Sequence, residues 1–430
     1  MLDCRLVTTR DRDLAAHRPR ALVIGGSVGG LFAASLLRAS GWDATVFERT
    51  SDDLAGRGAG LGISQELLDV MQRIGAPIDP TAGVPLQSYV WLDGDGTVRH
   101  EQPRPMIASA WPRVYRPLRA AFPDEHYRTG WTLDRVEQDD RSVTAVFRDG
   151  TRIEGDLLVA SDGNLSTVRR QFMPDVEPRY AGYVAWRGVV EERDMPEAVY
   201  ETVAGHIVFS FHEREMMLTM LVPGAGDDVR TGRRRIYFIW YRPTESEAAL
   251  ADLFTDASGR HHGFAIPPPL IRPEFVREIK ALAGEIFAPE VAAVVRAAPQ
   301  PLLQAISDLE SPRLVFGRVA LMGDAAFIAR PHVAGGITKA ALDADCLASA
   351  LSGGADDIAG ALAAYEGKRR DFGAKIVAHS RLLGSYVEQA PGTNGAARYR
   401  EPAWIMREYG APHLLHDPDP AGFVAPVRSA

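Results

Sequence analysis

The sequence predicts an α/β protein in which a parallel sheet is interrupted by a second, mostly antiparallel sheet and followed by helices. Three observations lead there. Residues 20–48 read as strand, helix and strand within about thirty residues, with the short apolar strands of a buried parallel sheet. That strand type returns almost 300 residues later in residues 318–324 (RVALMGD). Between them, residues 182–241 hold longer strands rich in aromatic side chains (GYVAWRGVV, HIVFSF, MMLTMLV, RRIYFIWY), which suit one antiparallel sheet.

Composition narrows the functions. The chain has 430 residues, 46% of them apolar, enough for a large core and about two or three domains. Its net charge of −8 offers no general basic surface to nucleic acid or an anionic membrane. The positive charge is nearly all arginine, with lysine only at Lys280, Lys339, Lys368 and Lys375, a bland compositional bias. Cys4 and Cys346 can build neither a disulfide framework nor a cysteine-rich metal site. His261-His262 lacks a third ligand at suitable spacing, so no metal is expected. No apolar run approaches the ~18 residues of a membrane span, and the charged N-terminus lacks the apolar core of a signal peptide. A cytoplasmic protein without nucleic-acid or membrane partners is expected.

Residues 1–18 lack periodicity and are expected to be a flexible lead-in. The first strand, 20–24, meets a glycine cluster, residues 31–39 are strongly helix-forming and stop at Gly41, and 44–47 form a second strand closed by Glu48. In Gly25-Gly26-Ser27-Val28-Gly29-Gly30, Gly25 permits a tight turn and Gly30 lets helix and strand pack closely. Free N–H groups at the helix start suit a pyrophosphate. Glu48, 23 residues beyond Gly25, is placed to accept hydrogen bonds from an adenosine ribose. Ser27 replaces the middle glycine of GxGxxG. The unit reads as a Rossmann-like dinucleotide site that does not distinguish FAD from NAD.

From 133 to 160 the pattern is antiparallel, with VTAVF, the turn pair Asp149-Gly150 and the run RIEGDLLVA. Ser161-Asp162-Gly163 then leads into a helix carrying Arg169, which alone could be a cap and a surface charge. In residues 235–242, alternation puts Tyr237, Ile239 and Tyr241 on one face, and Tyr183 and Arg187 share a face of their own strand. Such rows line an aromatic pocket or are plain core. Helices at 274–283 and 290–297 follow. Gly323-Asp324 ends a buried strand, Pro331 stands seven residues beyond Asp324, and Gly335-Gly336 opens a helix suited to an anionic ring edge. A helical tail runs to about Glu388, and the last forty residues carry no signal.

In this order the three segments resemble the GxGxxG, DG (with its trailing Arg169) and GD motifs of the class A FAD-dependent aromatic hydroxylases, the p-hydroxybenzoate hydroxylase type. The resemblance runs from Arg20 to about Leu383. Residues 180–189, Arg330-Pro331-His332 and the Gly25-Gly26-Ser27 start are similar to the hydroxypyridine-hydroxylating branch, which also carries the serine. Phe327 stands where many relatives have histidine, so one ring contact departs from the family.

The resemblance implies a Rossmann-like FAD domain in two pieces, 19–176 and 301–390. A substrate domain of mostly antiparallel strands, 177–300, interrupts it, and a tail, 391–430, follows. It implies non-covalent FAD, with Gly25, Gly26, Ser27, Gly30, Glu48 and Arg49 around adenosine and pyrophosphate, Gly323 and Asp324 at the ribityl chain, and Pro331, Gly335 and Gly336 against the isoalloxazine. Arg116 matches a cofactor-contacting arginine, and Gly60, in the loop 58–61, lies beside the flavin. Asp162 and Arg169 resemble residues that serve FAD and the nicotinamide coenzyme together.

The implied reaction is reduction of FAD by visiting NADH or NADPH, capture of O₂ as a flavin hydroperoxide, and transfer of one oxygen to an electron-rich aromatic substrate, in a homodimer. Tyr183, Arg187, Tyr237 and His332 are the substrate candidates. His332, beside Pro331, either takes the ring proton or only packs in its loop. A hydroxylase of polycyclic natural products, a flavoprotein reductase and a non-catalytic sensor would share the FAD motifs. A halogenase is disfavoured because the WxWxIP signature is absent.

Overall fold

The computed structural model describes residues 18–52, 54, 60–79, 83–244, 246–388 and 401–410. Two large sheets, each with its own apolar core, organise them. The first runs in the order Val315–Phe316, Val319–Leu321, Leu157–Ala160, Arg20–Ile24, Asp43–Glu48, Tyr127–Thr129. Its central strand, Arg20–Ile24, pairs in parallel with Leu157–Ala160 on one side and Asp43–Glu48 on the other. A strand buried on both faces needs the unbroken apolar run Ala-Leu-Val-Ile found there. The helices Val28–Ala39 and Gly336–Ala350 pack against each other over this sheet, so the first and third motifs meet although they lie far apart in sequence.

The run RIEGDLLVA, expected among the antiparallel strands, is two strands in different sheets. Arg152–Gly155 pairs antiparallel with Val143–Phe147, whereas Leu157–Ala160 enters the parallel sheet. Asp156 marks the switch, because its carboxylate and its own N–H bond the N–H and carbonyl of Arg20. The Asp149-Gly150 turn forms as expected, with Gly150 at φ +86° and its N–H on the Phe147 carbonyl.

The second sheet has nine strands in the order Phe327–Ile328, Leu302–Glu310, Arg179–Glu191, Arg235–Pro243, Glu215–Val222, His206–His212, Val84–Leu92, Val98–Ala110, Gly60–Gly62. Every pairing is antiparallel except His206–His212 with Val84–Leu92. The sheet reaches beyond residues 177–300 and takes strands from both sides of that interval. The helices Pro273–Ile286 and Pro289–Ala297 each start on a proline, whose missing N–H costs nothing at that position. They cover one face, where Trp240 meets Phe287 edge-on at 5.0 Å. The opposite face is left for the cavity described below.

The helical tail divides into Gly336–Ala350 and Ile358–Gly384. The second helix is tied to the sheet through Asp308, which receives Arg330 at 2.8 Å and Arg381 at 2.7 Å. Part of the stretch without sequence signal is ordered: Pro402–Glu408 is a helix with Ile405 and Met406 buried. Residues 1–17, 389–400 and 411–430 lie outside the described residues. Among the described residues, no helix is long and apolar enough to cross a membrane.

Two glycines separate packing from propensity. A Cβ on Gly30 would sit 1.8 Å from the Gly25 carbonyl oxygen, whereas one on Gly367, on the exposed side of a long helix, meets nothing within 4 Å. Gly30→Ala is therefore expected to lower stability by about 3 kcal/mol. Gly367→Ala should raise it by about 1 kcal/mol. Urea denaturation midpoints check both signs.

Candidate active site

The site begins where the first strand ends. Gly25 has φ +107°, and a Cβ there would lie 2.2 Å from the Ser161 carbonyl oxygen, so only glycine lets the first turn touch the second motif. Ser27 is the residue before the helix Val28–Ala39, and its side chain does not cap it. The first amides of that helix therefore face outward without side-chain partners. Glu48, buried at the end of its strand, accepts the N–H of Gly26 at 2.7 Å on one oxygen and that of Thr50 at 3.0 Å on the other. Arg49 follows it in an exposed position.

Asp162 bonds the amides of Thr167 and Val168 with Oδ2, while Oδ1 is buried without a partner. Burial pushes this carboxyl up, offset by Ser166 and those amides. Arg169 is not a surface charge. It is 1% exposed, and its guanidinium donates to the backbone carbonyls of Val176, Ala325 and Asn164. Its place is thus between the DG and GD loops, and this corrects the expectation that it meets coenzyme directly.

Gly323 has φ +59° and donates its N–H to Asp343 Oδ2 at 3.0 Å. Asp343 also receives Arg369 at 2.6 Å, with Lys339 Nζ at 3.5 Å. Burial alone would raise the Asp343 carboxyl, but Arg369 and Lys339 hold it below the usual carboxylate value. Asp324, next to this cluster, opens into the cavity. Its side chain is exposed at the cavity wall, and the protein mass around it still pushes the carboxyl up against the pull of Lys339. The loop then passes through a short turn, Pro331–Val333, and through Ala334 in left-handed backbone (φ +47°), before Gly335 and the helix start at Gly336.

A cavity of about 700 Å³ lies between this helix start and the open face of the nine-stranded sheet. Of the expected residues, Asp324, Pro331, Gly335, Gly336, Arg187 and Tyr237 line it. Arg187 sits opposite Ile239 in the strand register, which puts Tyr237 and Tyr241 diagonal to it on the same face. The alternation of Tyr237, Ile239 and Tyr241 therefore marks the cavity wall, and Leu218 and Met220 of the next strand continue it.

Three further expectations are corrected. His332 is fully buried and does not line the cavity; its Nε2 lies 2.7 Å from the Tyr183 hydroxyl, which is equally buried. The turn Pro331–Val333 points Pro331 and Val333 at the cavity and His332 away from it, a direction that adjacency in sequence does not encode. Neither His332 nor Tyr183 can touch a substrate there. Arg116, expected on the cofactor, instead pairs with Asp227 at 3.0 Å in a half-exposed position off the cavity. Of the loop 58–61, residues 58 and 59 lie outside the described residues, and Gly60 pairs with Ala110 at the sheet edge. Other wall residues carried no strong signal: Tyr89, Arg104 and Tyr409, the last delivered by the short C-terminal helix. Lys339 had one, being among only four lysines.

These residues fit a flavin dinucleotide. Glycines 25 and 30 leave no room for side chains between turn and helix, two helix starts present free amides, and the buried Asp162 Oδ1 lacks a donor. A dinucleotide-type turn, together with a helix start that faces an aromatic sheet across the cavity, suits a flavin-dependent enzyme. Residues 180–308 match a family model described as FAD binding domain-like. The chain is 30% identical over 355 residues to 2,6-dihydroxypyridine 3-monooxygenase of Paenarthrobacter nicotinovorans, covering 82% of this chain and 88% of that protein. It is 27% identical to 6-hydroxynicotinate 3-monooxygenase of Pseudomonas fluorescens, covering 84% and 90%. The solved 2,6-dihydroxypyridine-3-hydroxylase from Arthrobacter nicotinovorans superposes with a TM-score of 0.81 at 28% identity, covering 89% of this chain and 96% of that one. The chain belongs to the FAD-dependent aromatic hydroxylases of the p-hydroxybenzoate hydroxylase type. Its cofactor is FAD, with NAD(P)H as reductant and O₂ as co-substrate.

The buried histidine makes a pH prediction. Burial, with Arg330 nearby, pulls the His332 pKa down to about 3. Between pH 6.5 and 3 the unfolded chain takes a proton there that the folded protein refuses, so stability falls as pH falls. His332→Gln removes this contribution. The stability difference between wild type and variant should shift by about 2 kcal/mol between pH 7 and pH 5, with wild type losing more. Urea titrations at the two pH values measure it, and a constant difference would mean that His332 protonates in the fold.

Proposed function

We propose that the substrate is a small, planar, electron-rich aromatic ring of the hydroxypyridine type, with 2,6-dihydroxypyridine the leading candidate. The observation that carries this reading is the cavity, where tyrosine and aliphatic side chains of the sheet face a helix start across about 700 Å³. That volume has to serve a flavin ring as well as the substrate, which supports a single small ring over a polycycle. Similarity to proteins named for 2,6-dihydroxypyridine and 6-hydroxynicotinate supports the same ring class.

Bound FAD supplies the electron relay between NAD(P)H and O₂. In this reading the chain binds, orients and shields. Gly25, Gly26, Ser27 and Gly30 hold the pyrophosphate on the amides of Val28–Ala39, and Glu48 and Arg49 hold the adenosine. Asp162 Oδ1 accepts from the cofactor, and Asp324 accepts from the ribityl hydroxyls. The free amides at the start of Gly336–Ala350, with Pro331 beside them, stabilise negative charge at the ring edge. Leu218, Met220 and Ile239 keep water from the substrate. A cytoplasmic homodimer belongs to the same proposal.

The purified protein is expected to be yellow and to release FAD on denaturation. It should also oxidise NADH or NADPH faster with 2,6-dihydroxypyridine present, giving a product one oxygen atom heavier by mass spectrometry. Colourless protein, or coenzyme oxidation that yields only hydrogen peroxide with every hydroxypyridine tried, would contradict the proposal.

A further inference from the structure

Of the four lysines in the chain, Lys339 is the buried one, at 1% exposure. It stands on the first turn of Gly336–Ala350, where its backbone N–H closes the turn on the Gly335 carbonyl at 2.8 Å. The amides of residues 336–338, just before it, have no helical carbonyl to bond. Lys339 follows them directly, and its ammonium lies in the field of the Asp324 carboxylate. Both side chains line the cavity.

The charge of this ammonium is balanced, but its hydrogen bonding is not. Nζ lies 3.5 Å from Asp343 Oδ2, an ion-pair contact that is not a hydrogen bond. That oxygen already takes the Gly323 N–H at 3.0 Å, and Oδ1 takes Arg369 Nε at 2.7 Å. A lysine present only to pair with Asp343 would hold one of those places, yet Arg369 has the closer one, at 2.6 Å. The N–H donors of the ammonium are thus held out of water with no acceptor, which is costly unless a ligand supplies one. Because Lys339 lines the cavity, a ligand that fills it brings acceptor oxygens to this residue.

We propose that Lys339 is a further cofactor-binding residue, which donates from Nζ to an oxygen on the carbonyl-bearing edge of the flavin ring and thereby sets the reduction potential of the bound FAD. This rests on the reading that the ring edge faces the amides at Gly336, and it is independent of which aromatic ring is hydroxylated. A helix start offers roughly half a positive charge; the ammonium adds a full one and a donor on a movable stem. Two-electron reduction with uptake of one proton leaves net negative charge on the ring, so a charge-assisted hydrogen bond at that edge is stronger in the reduced state. A group that holds the reduced form more tightly than the oxidised form raises the midpoint potential.

The test is the midpoint potential of the FAD-loaded protein, measured by reductive titration against a reference dye. Wild type, Lys339→Met, Lys339→Gln and Lys339→Arg are compared, with FAD dissociation constants and melting temperatures alongside. Lys339→Met should lose affinity for reduced FAD about tenfold more than for oxidised FAD, which lowers the two-electron potential by about 30 mV. Lys339→Arg keeps the charge and should recover most of this fall, whereas Lys339→Gln keeps only a neutral donor and should recover less. A potential equal to wild type in Lys339→Met overturns the proposal whatever happens to FAD affinity, because mere support of the Asp343 cluster would weaken both redox states together. An equal fall in Lys339→Arg overturns it too, by showing that the charge is not what matters. Where Lys339→Met does not fold, the difference between Lys339→Arg and Lys339→Gln decides in the same way. Wild type that takes up no FAD would instead overturn the reading on which the proposal rests.

Discussion

One buried guanidinium holds the cofactor half of the molecule together. Arg169 donates to carbonyls at residues 164, 176 and 325, so a single side chain joins the loop after the second motif, the lead-in to the long sheet strand and the loop of the third motif. None of those carbonyls belongs to a regular ladder, and each would be costly to bury alone. Gly25 approaches the Ser161 carbonyl from the other side, which brings the first motif to the same junction. The cradle is thus a backbone construction fixed by one cation and by glycines that leave no gap.

Charge is arranged along the cavity by the same logic of partnered and unpartnered groups. At the helix end, Asp343 accepts from Gly323 and Arg369 and balances the charge of Lys339, so the third motif rests on a charge-compensated cluster. At the sheet end, Arg187 has no such compensation, and tyrosines replace acids around it. His332 and Tyr183 pair beneath the loop through Nε2 and the hydroxyl, away from the cavity, and His332 Nδ1 is buried without a partner.

Much of this was legible in the sequence. The strand at 20–24 was readable because both its faces are buried, and the row of Tyr237, Ile239 and Tyr241 because a period of two has only one pocket-facing phase. What escaped depended on direction or on distant partners. Whether Pro331 or His332 faces the cavity is set by the sense of one short turn. Arg116 carries the same local signature whether it meets a cofactor or Asp227, since the two differ only in the packing of residues 111 positions away. Tyr409 reaches the wall from a proline- and alanine-rich stretch whose helix is one turn too short to show periodicity. The run 152–160 divides at Asp156 because the backbone of Arg20, over 100 residues earlier, captures it.

The central claim is that FAD binding depends on the junction that Arg169 ties, although the side chain itself stands off the cavity. Measuring the FAD dissociation constant of Arg169→Met by flavin fluorescence, alongside its melting temperature, tests that claim most directly. Three carbonyls left without their donor should weaken FAD by about tenfold or more and lower the melting temperature with it. FAD affinity and stability equal to wild type would contradict the account.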